Sequence, residues 1–361
     1  MTLPITTPLR PMLAKATARL PEGDGWWYEP KWDGFRCIVV RDGDEVGLDS
    51  RNERPLTRYF PELLDPLRNA LPDRCILDGE VVVVTPNGLD FDLLGQRIHP
   101  AESRVRRLSV ETPASYVAFD LIALGDESLL DVAFRDRRTR LEELLAGVPA
   151  PIHLCPISDD PAVGADWFTR FEGAGFDGVI AKRAESTYQP NVRAMAKVKH
   201  QRTADVVVAG YRIHKDGNGV GSLLLGLFDD EGSLHHIGVA SSFDVAARRR
   251  LLDEVAPYET DALATHPWRG WAEQSADSPL AQRMPGAPSR WSGQKELDWV
   301  PLRCELVCEI GYQGLTHGRL RHPGKFLRWR PDRDPSSCRY DQLDQVAPAE
   351  LAALFGPTGT L

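Results

Sequence analysis

No Cys-x-x-Cys pair occurs among the six cysteines (Cys37, Cys75, Cys155, Cys304, Cys308 and Cys338), which argues against a zinc ribbon and against a dense disulfide framework. Cys304 and Cys308 are spaced to share one face of a strand and read as buried side chains. No stretch approaches the roughly 18 consecutive apolar residues of a membrane span. The N-terminal MTLPITTPLRPMLAKA has no continuous apolar core such as a secretory leader carries. The expectation is a soluble, cytoplasmic, monomeric protein with no membrane partner. Positive charge is not in excess either: 43 Lys and Arg against 52 Asp and Glu leave a net charge of −9. That balance excludes a uniformly basic nucleic-acid coat, although a polyanion can be held by a local basic surface alone. Internal repeats are missing as well.

What is present is enough chain for more than one core: 361 residues, 42% of them hydrophobic, predict two domains. RCIVVRDG and EVGLDSRN read as a hairpin around Asp42 to Asp44, CILDGEVVVV as an apolar strand entered through an Asp-Gly turn, and SYVAFDLIAL as a further strand. PELLDPLRNAL and FRDRRTRLEELLAG carry apolar residues at helical spacing, the second stopping at Gly147 before Pro149. DWFTRFEGAGFDGVIAKR reads as a helix ending near Gly173 or Gly175, then a turn and a strand through Val179 to Lys182. The first domain, 1–203, is therefore expected to be α+β with antiparallel sheets.

From Ala204 the pattern becomes that of short, evenly spaced strands: DVVVAGYRI, SLLLGLFD and LHHIGVASS, then the helical DVAARRRLLDEVAP, then CELVCEIGYQ and KFLRWRPD. Five short strands and one helix fit a small closed barrel of the OB-fold kind over 204–361. The intervening segment 256–300, rich in Pro, Trp, Ser and Ala, reads as an excursion from the barrel rather than a third domain.

The stretch YEPKWDGFRC places Lys31 among Trp27, Tyr28 and Trp32. Partial desolvation by these rings would favour the neutral amine, a nucleophile. A surface lysine beside a turn fits the ten residues as well. The wider constellation is more informative. Lys31-Trp-Asp33-Gly34-Phe-Arg36, Ser50-Arg51-Asn52, Asp78-Gly79-Glu80, Phe119-Asp120, Asp177-Gly178-Val-Ile-Ala-Lys182 and Lys197-Val-Lys199 follow one another in that order within one predicted domain. The set resembles the nucleotidyltransferase motifs of ATP-dependent DNA ligases, RNA ligases and mRNA capping enzymes, whose lysine forms a covalent nucleotide adduct. WVPLRCELVCEIGYQGLTHGRLRHPGKFLRWRPDRDP, residues 299 to 335, resembles the C-terminal OB segment of bacterial ligases of the ligase C type and of the end-joining ligase D ligase domain. With no polymerase or nuclease module attached, the compact, actinobacterial-like ligase C type is the closer likeness. NAD-dependent ligases match poorly because the chain is short and lacks their zinc cysteines.

The resemblance implies an adenylation domain followed by an OB-fold, ATP and Mg²⁺ (or Mn²⁺) as cofactors, nicked duplex DNA as substrate and a place in DNA repair, in the bacterial cytoplasm at the nucleoid. It implies that Lys31 attacks the α-phosphate, that Glu29 helps fix adenine and that Phe119 stacks on the base. Arg36, Arg51 and Glu80 would hold the ribose side, Lys197 and Lys199 would neutralise the α-phosphate, and Glu80 with Asp177 would supply metal carboxylates. Lys182 is left between nucleotide and DNA phosphate, and Asp120 reads as structural. Arg36 and Arg51 as surface ion-pair partners, and Phe119 as a core ring, are the plain alternatives.

Two departures from the family pattern matter. Asp177 stands where glutamate is usual, one methylene shorter. Arg328-Trp-Arg330-Pro-Asp332-Arg333 replaces the usual Asp-Lys ending, exchanging an ammonium for planar forks able to grip a pyrophosphate, with Asp332 a candidate ion-pair partner for one of them. Basic residues Arg193, Lys197, Lys199, His200 and Arg202, and Arg319, Arg321, His322 and Lys325, are expected to clamp the nick. An RNA ligase or capping-type guanylyltransferase shares the same first step, and a non-catalytic OB-type single-strand binder would use the barrel and basic strips alone.

Overall fold

The computed structural model describes residues 3–86, 88–171, 174–200, 202–272, 298–316 and 318–343. The chain divides into two compact units after His200.

The first unit is built on two sheets. The larger runs in the order Glu45–Ser50, Phe35–Asp42, Arg74–Thr85, Ala114–Leu124 and Glu127–Ser128, antiparallel throughout, with Ile152–Leu154 added in parallel to Ala114–Leu124. Strand periodicity divides its side chains between two cores. Cys37, Val39, Leu77, Val81 and Leu121 pack with Leu67, Leu141 and Leu145 of the helices Leu64–Ala70 and Phe134–Leu145. Ile38, Ile76 and Ile122 point the other way, against Met12, Tyr188 and Met195. The smaller sheet lies on that second side in the order Leu13–Ala16, Arg193–Lys199, Gly178–Arg183 and Trp26–Lys31. A third cluster, including Tyr28, Trp32, Val82, Phe119, Trp167 and Val179, joins the two sheets at one end.

Two local expectations are corrected here. Asp78-Gly79 is not a turn but lies inside the twelve-residue strand Arg74–Thr85, where the register against Ala114–Leu124 shifts between these two residues. Asp-Gly is a strong turn signal in sequence, yet this glycine removes a side chain where the Tyr116 ring crosses. The helix expected from DWFTRFEG begins earlier, at Pro161, with Asp160 capping it by accepting from the Ala162 amide at 2.8 Å, and ends at Arg170; residues 172 and 173 lie outside the described residues.

The second unit orders its strands Leu234–Ser241, Val220–Phe228, Arg202–Ile213, Val300–Tyr312 and Lys325–Trp329. Its two edges meet: Gly324 donates to the Val239 carbonyl at 2.8 Å and bridges Ala240, so the sheet closes into an OB-type barrel filled by Val206, Leu224, Ile237, Leu302 and Ile310. The helix Val245–Val255 packs Leu251 and Val255 onto it. Beyond that helix, Trp268 is buried and donates through Nε1 to the Leu234 carbonyl at 2.7 Å, which ties the start of the Pro- and Trp-rich segment to the barrel; residues 273–297 lie outside the described residues. Cys308 is buried, whereas Cys304 is only half-buried, beside His266. No described helix is long and apolar enough to cross a membrane.

Candidate active site

Alternation along three neighbouring strands assembles one face of the site. In the antiparallel register Lys31 lies opposite Gly178 and Gly178 opposite Lys199, while Glu29 lies opposite Ile180 and Ile180 opposite Lys197. Residues two apart share a face. The patterns Glu-x-Lys at 29–31, Ile-x-Lys at 180–182 and Lys-x-Lys at 197–199 therefore present their side chains to a common pocket of about 270 Å³. Gly178 is required for this packing. Its φ is +134°, and a Cβ there would lie 2.0 Å from the Val198 carbonyl oxygen.

Lys31 ends its strand with Nζ 2.6 Å from Asp177 Oδ2, and Lys199 Nζ reaches the same oxygen at 2.7 Å. Burial pushes the Asp177 carboxyl up, but Lys31 and Lys199 outweigh burial and hold it below the ordinary carboxylate range. Of the aromatic neighbours of Lys31 in sequence, Trp32 lines the same pocket. Tyr28 and Trp32 point into the core, where Trp32 Nε1 lies 3.2 Å from Cys155 Sγ, and a carboxylate is the immediate neighbour of the amine. Lys197 is pushed down by burial and then by its cationic neighbours Lys199, Lys31 and Arg51. Four cations with mutual repulsion and a single direct carboxylate form a site whose electrostatics improve when an anion enters.

The larger sheet supplies the opposite wall. Arg36 pairs across the strands with Glu80, and its fork closes on Asp78 with both contacts at 2.6 Å. Asp78 is fully buried and also accepts from the Tyr188 hydroxyl at 2.6 Å; Arg36 Nη2 donates to the Met12 carbonyl at 3.3 Å. Gly34 lets the Asp-Gly turn approach this strand: a Cβ there would lie 2.2 Å from the Val81 carbonyl oxygen. Phe119 lines the pocket but exposes only 7% of its surface, with the Arg36 guanidinium 4.4 Å and Lys182 Nζ 4.8 Å from its ring centre. Lys182 is buried, with Nζ 2.9 Å from each Glu29 carboxylate oxygen and donating to the Phe119 carbonyl at 3.2 Å. Asp120, deeper in the sheet, is held by Arg137 at 2.7 and 2.9 Å in a fully buried pair.

Burial pushes the Glu80 carboxyl up to about 7, against the opposing pull of Arg36 and Lys31. A folded-state value above the ordinary carboxyl range means that the free protein loses stability as pH rises from the ordinary range towards 7. Glu80→Gln should therefore stabilise the protein at neutral pH by about 1–3 kcal/mol and flatten this slope. Melting temperature against pH checks the sign.

Arg328, Arg330 and Arg333 of the second unit are held by carboxylates, one of them by Asp332 as the sequence allows. Arg330 is spoken for: both oxygens of Asp205 lie 2.9 Å from its Nη1, and Asp332 accepts from Nε at 2.9 Å and Nη2 at 2.8 Å. Asp332 is thereby held down at about 2, the Arg330 hydrogen bond being the main cause. Arg333 Nε lies 3.3 Å from Asp205, and Arg328, 63% exposed, pairs with Glu309 at 2.7 Å. Asp78 and Tyr188, which fix Arg36 in the pocket wall, and Asp205, which holds Arg330 in the second unit, carried no role in the sequence reading. Asp78 sits in a quoted motif, whereas Tyr188 and Asp205 had no local signal.

The family model described as "ATP dependent DNA ligase domain" matches residues 11–199, and the one described as "ATP dependent DNA ligase C terminal region" matches 216–333. The chain is 51% identical over 359 residues to DNA ligase C of Mycobacterium tuberculosis, covering 98% of both chains. It is 52% identical over 345 residues to DNA ligase C2 of Mycolicibacterium smegmatis, covering 95% of this chain and 96% of that one. A solved Lig E DNA ligase shares the fold at a TM-score of 0.54 and 17% identity, covering 88% of this chain and 99% of that one. A lysine at a strand end among phosphate-seeking cations, a closed barrel after it, and these matches over both units lead to one conclusion: the chain belongs to the ATP-dependent DNA ligase family.

Proposed function

We propose that the protein seals breaks between a 5′-phosphate and a 3′-hydroxyl in duplex DNA, with Lys31 as the nucleophile and ATP as the source of AMP. The observation that carries this reading is the cation cluster of Lys31, Lys197, Lys199 and Arg51 around one pocket, with Lys197 pushed down by burial and by its neighbours. Lys31 Nζ passes its proton to bulk water and forms a bond to the α-phosphorus, while the bond from that phosphorus to the oxygen bridging to the β-phosphate breaks and pyrophosphate leaves. The 5′-phosphate of the nick then takes AMP from the lysine, and the 3′-hydroxyl displaces AMP as the backbone bond forms. Positioning and charge neutralisation do most of the work in such transfers.

Asp177, held below the ordinary carboxylate range, is a weak base; its role is to orient the Lys31 amine rather than to deprotonate it. Lys197 and Lys199 neutralise the α-phosphate. Glu29, steadied by Lys182, meets the adenine amino group, Phe119 backs the base, and Arg36, held by Asp78, meets the ribose side with Arg51 and Glu80. Among the described residues no group of three or more His, Cys, Asp or Glu side chains is placed to hold a metal ion alone. Asp177 and Glu80 are the carboxylates that would hold Mg²⁺ (or Mn²⁺), and the ion would supply charge neutralisation to the phosphates. Acting as a monomer in the bacterial cytoplasm, the protein would serve DNA repair.

Nick sealing on matched DNA, RNA and mixed duplexes with ATP tests the polymer. DNA should rank first, and a preference for RNA would move the reading to an RNA ligase. The basic residues around Arg193, Lys197 and Lys199, and around Arg319, Arg321 and Lys325, imply phosphate contacts. Affinity for nicked DNA should accordingly fall by about 10-fold or more between low and physiological salt, measured by fluorescence anisotropy. A flat dependence would contradict phosphate contacts.

A further inference from the structure

Tyr188 stands outside the residues that line the pocket, yet it closes a ring of hydrogen bonds behind Arg36. Arg36 Nη2 and the Tyr188 hydroxyl both reach Asp78 Oδ2 at 2.6 Å. The Met12 amide donates to the Tyr188 hydroxyl at 3.1 Å, and the Met12 carbonyl accepts from Arg36 Nη2 at 3.3 Å. An amide N–H only donates, so the hydroxyl accepts from Met12 and its single proton is left for Asp78. Burial, followed by the Asp78 carboxylate, pushes the Tyr188 phenol well above its ordinary value and keeps that proton in place.

The ring is fixed from outside as well. The Tyr188 amide donates to the Leu130 carbonyl and the Leu13 amide to the Val192 carbonyl, both at 2.8 Å, so the segments 11–13 and 188–192 are held beside the pocket. Asp78 and Tyr188 are both buried, and a buried carboxylate keeps one orientation when its oxygens are fully engaged. Arg36 lines the pocket from this anchor, and among the described residues no protein acceptor takes its Nη1.

We propose that Tyr188 is a positioning residue for nucleotide binding: its hydroxyl locks the Asp78 carboxylate, and through it the Arg36 fork, so that Nη1 is aimed at the ribose of ATP before ATP arrives. The inference rests on the reading that Arg36 meets the ribose side. Without the hydroxyl, Asp78 Oδ2 is held by Arg36 alone, the carboxylate and guanidinium can turn together, and binding must restore the lost order. The effect falls on KM rather than kcat, because Lys31, Lys197 and Lys199, which act at the α-phosphate, are not members of the ring.

The test measures formation of the protein-bound AMP adduct by the full chain over a range of ATP concentrations. Tyr188→Phe keeps the ring in its core cluster and removes only the hydroxyl. It should raise KM for ATP by about tenfold with kcat nearly unchanged, the scale of losing one hydrogen bond to a charged group. If Tyr188→Phe does not fold, Tyr188→Met, which removes the same donor on a flexible apolar side chain, carries the same expectation. Arg36→Lys keeps a cation beside Asp78 but has no fork to aim. In that background Tyr188→Phe should add almost nothing to KM, because the group it positions is already gone. Losses that multiply in the double variant, an unchanged KM in Tyr188→Phe, or equal damage to kcat and KM would each make Tyr188 structural and overturn the inference. If Arg36→Lys raises KM and Tyr188→Phe does not, only the role of Tyr188 falls. If Arg36→Lys leaves KM unchanged, the reading of Arg36 falls too.

Discussion

Replacing Lys31 with alanine is expected to abolish the covalent AMP adduct while leaving the fold intact. The side chain reaches into the pocket instead of a core, is 20% exposed, and has Asp177 as its ionic partner. Removing it does not strand a buried charge, because Lys199 still holds Asp177 at 2.7 Å. The stability change should stay within about 1 kcal/mol, as for an accessible ion pair. Lys31→Arg should fail equally, since a guanidinium stays protonated at any working pH and cannot attack phosphorus. Labelled ATP followed by denaturation reads the adduct directly, and melting temperature confirms the fold. A normal adduct level in Lys31→Ala would refute the assignment.

The second large effect separates the steps of the reaction. Pyrophosphate leaves only when Lys31 attacks ATP, so groups that orient it have no such task once AMP is on the DNA. We assign this task to Arg328 and Arg333 of the second unit, whose side chains are 63% and 38% exposed. Their alanine variants should reduce adduct formation by about 10² or more, the scale of losing one transition-state charge contact. Sealing of a nick supplied already adenylated should survive. Arg330 is expected to behave differently. It holds Asp205, and Arg330→Ala leaves that carboxylate with the more distant Arg333, so the barrel should melt at a lower temperature. If Arg328→Ala and Arg333→Ala cut both steps equally in folded protein, these arginines serve DNA binding or structure instead.

Strand alternation explains how much of this could be read in advance. Glu29 and Lys31, Ile180 and Lys182, Lys197 and Lys199 sit two apart on adjacent strands, so short patterns in sequence become one wall in space. The barrel was legible for a similar reason, since the apolar runs of its first three strands follow one another closely within 202–241. What lay hidden depends on partners far along the chain. Asp78 meets Tyr188 across 110 residues, and Arg330 meets Asp205 across 125. A contact between side chains so far apart in the chain has no local period to reveal it. The Asp-Gly at 78–79 misled because glycine serves two needs, a turn and a close approach, and only the crossing Tyr116 ring distinguishes them. Lys31 was read for its aromatic neighbours, whereas its environment is set by Asp177, 146 positions later in sequence but one strand away in the sheet.

The central claim is that Lys31 carries AMP on its way to a DNA end. Incubating the protein with ATP labelled at the α-phosphate and Mg²⁺, then digesting it and mapping the label by mass spectrometry, should place AMP on the peptide containing Lys31. Adding nicked duplex DNA should move the label first to the 5′-phosphate and then to free AMP as the nick closes. Label on any other residue, or label on Lys31 that nicked DNA does not remove, would contradict the account.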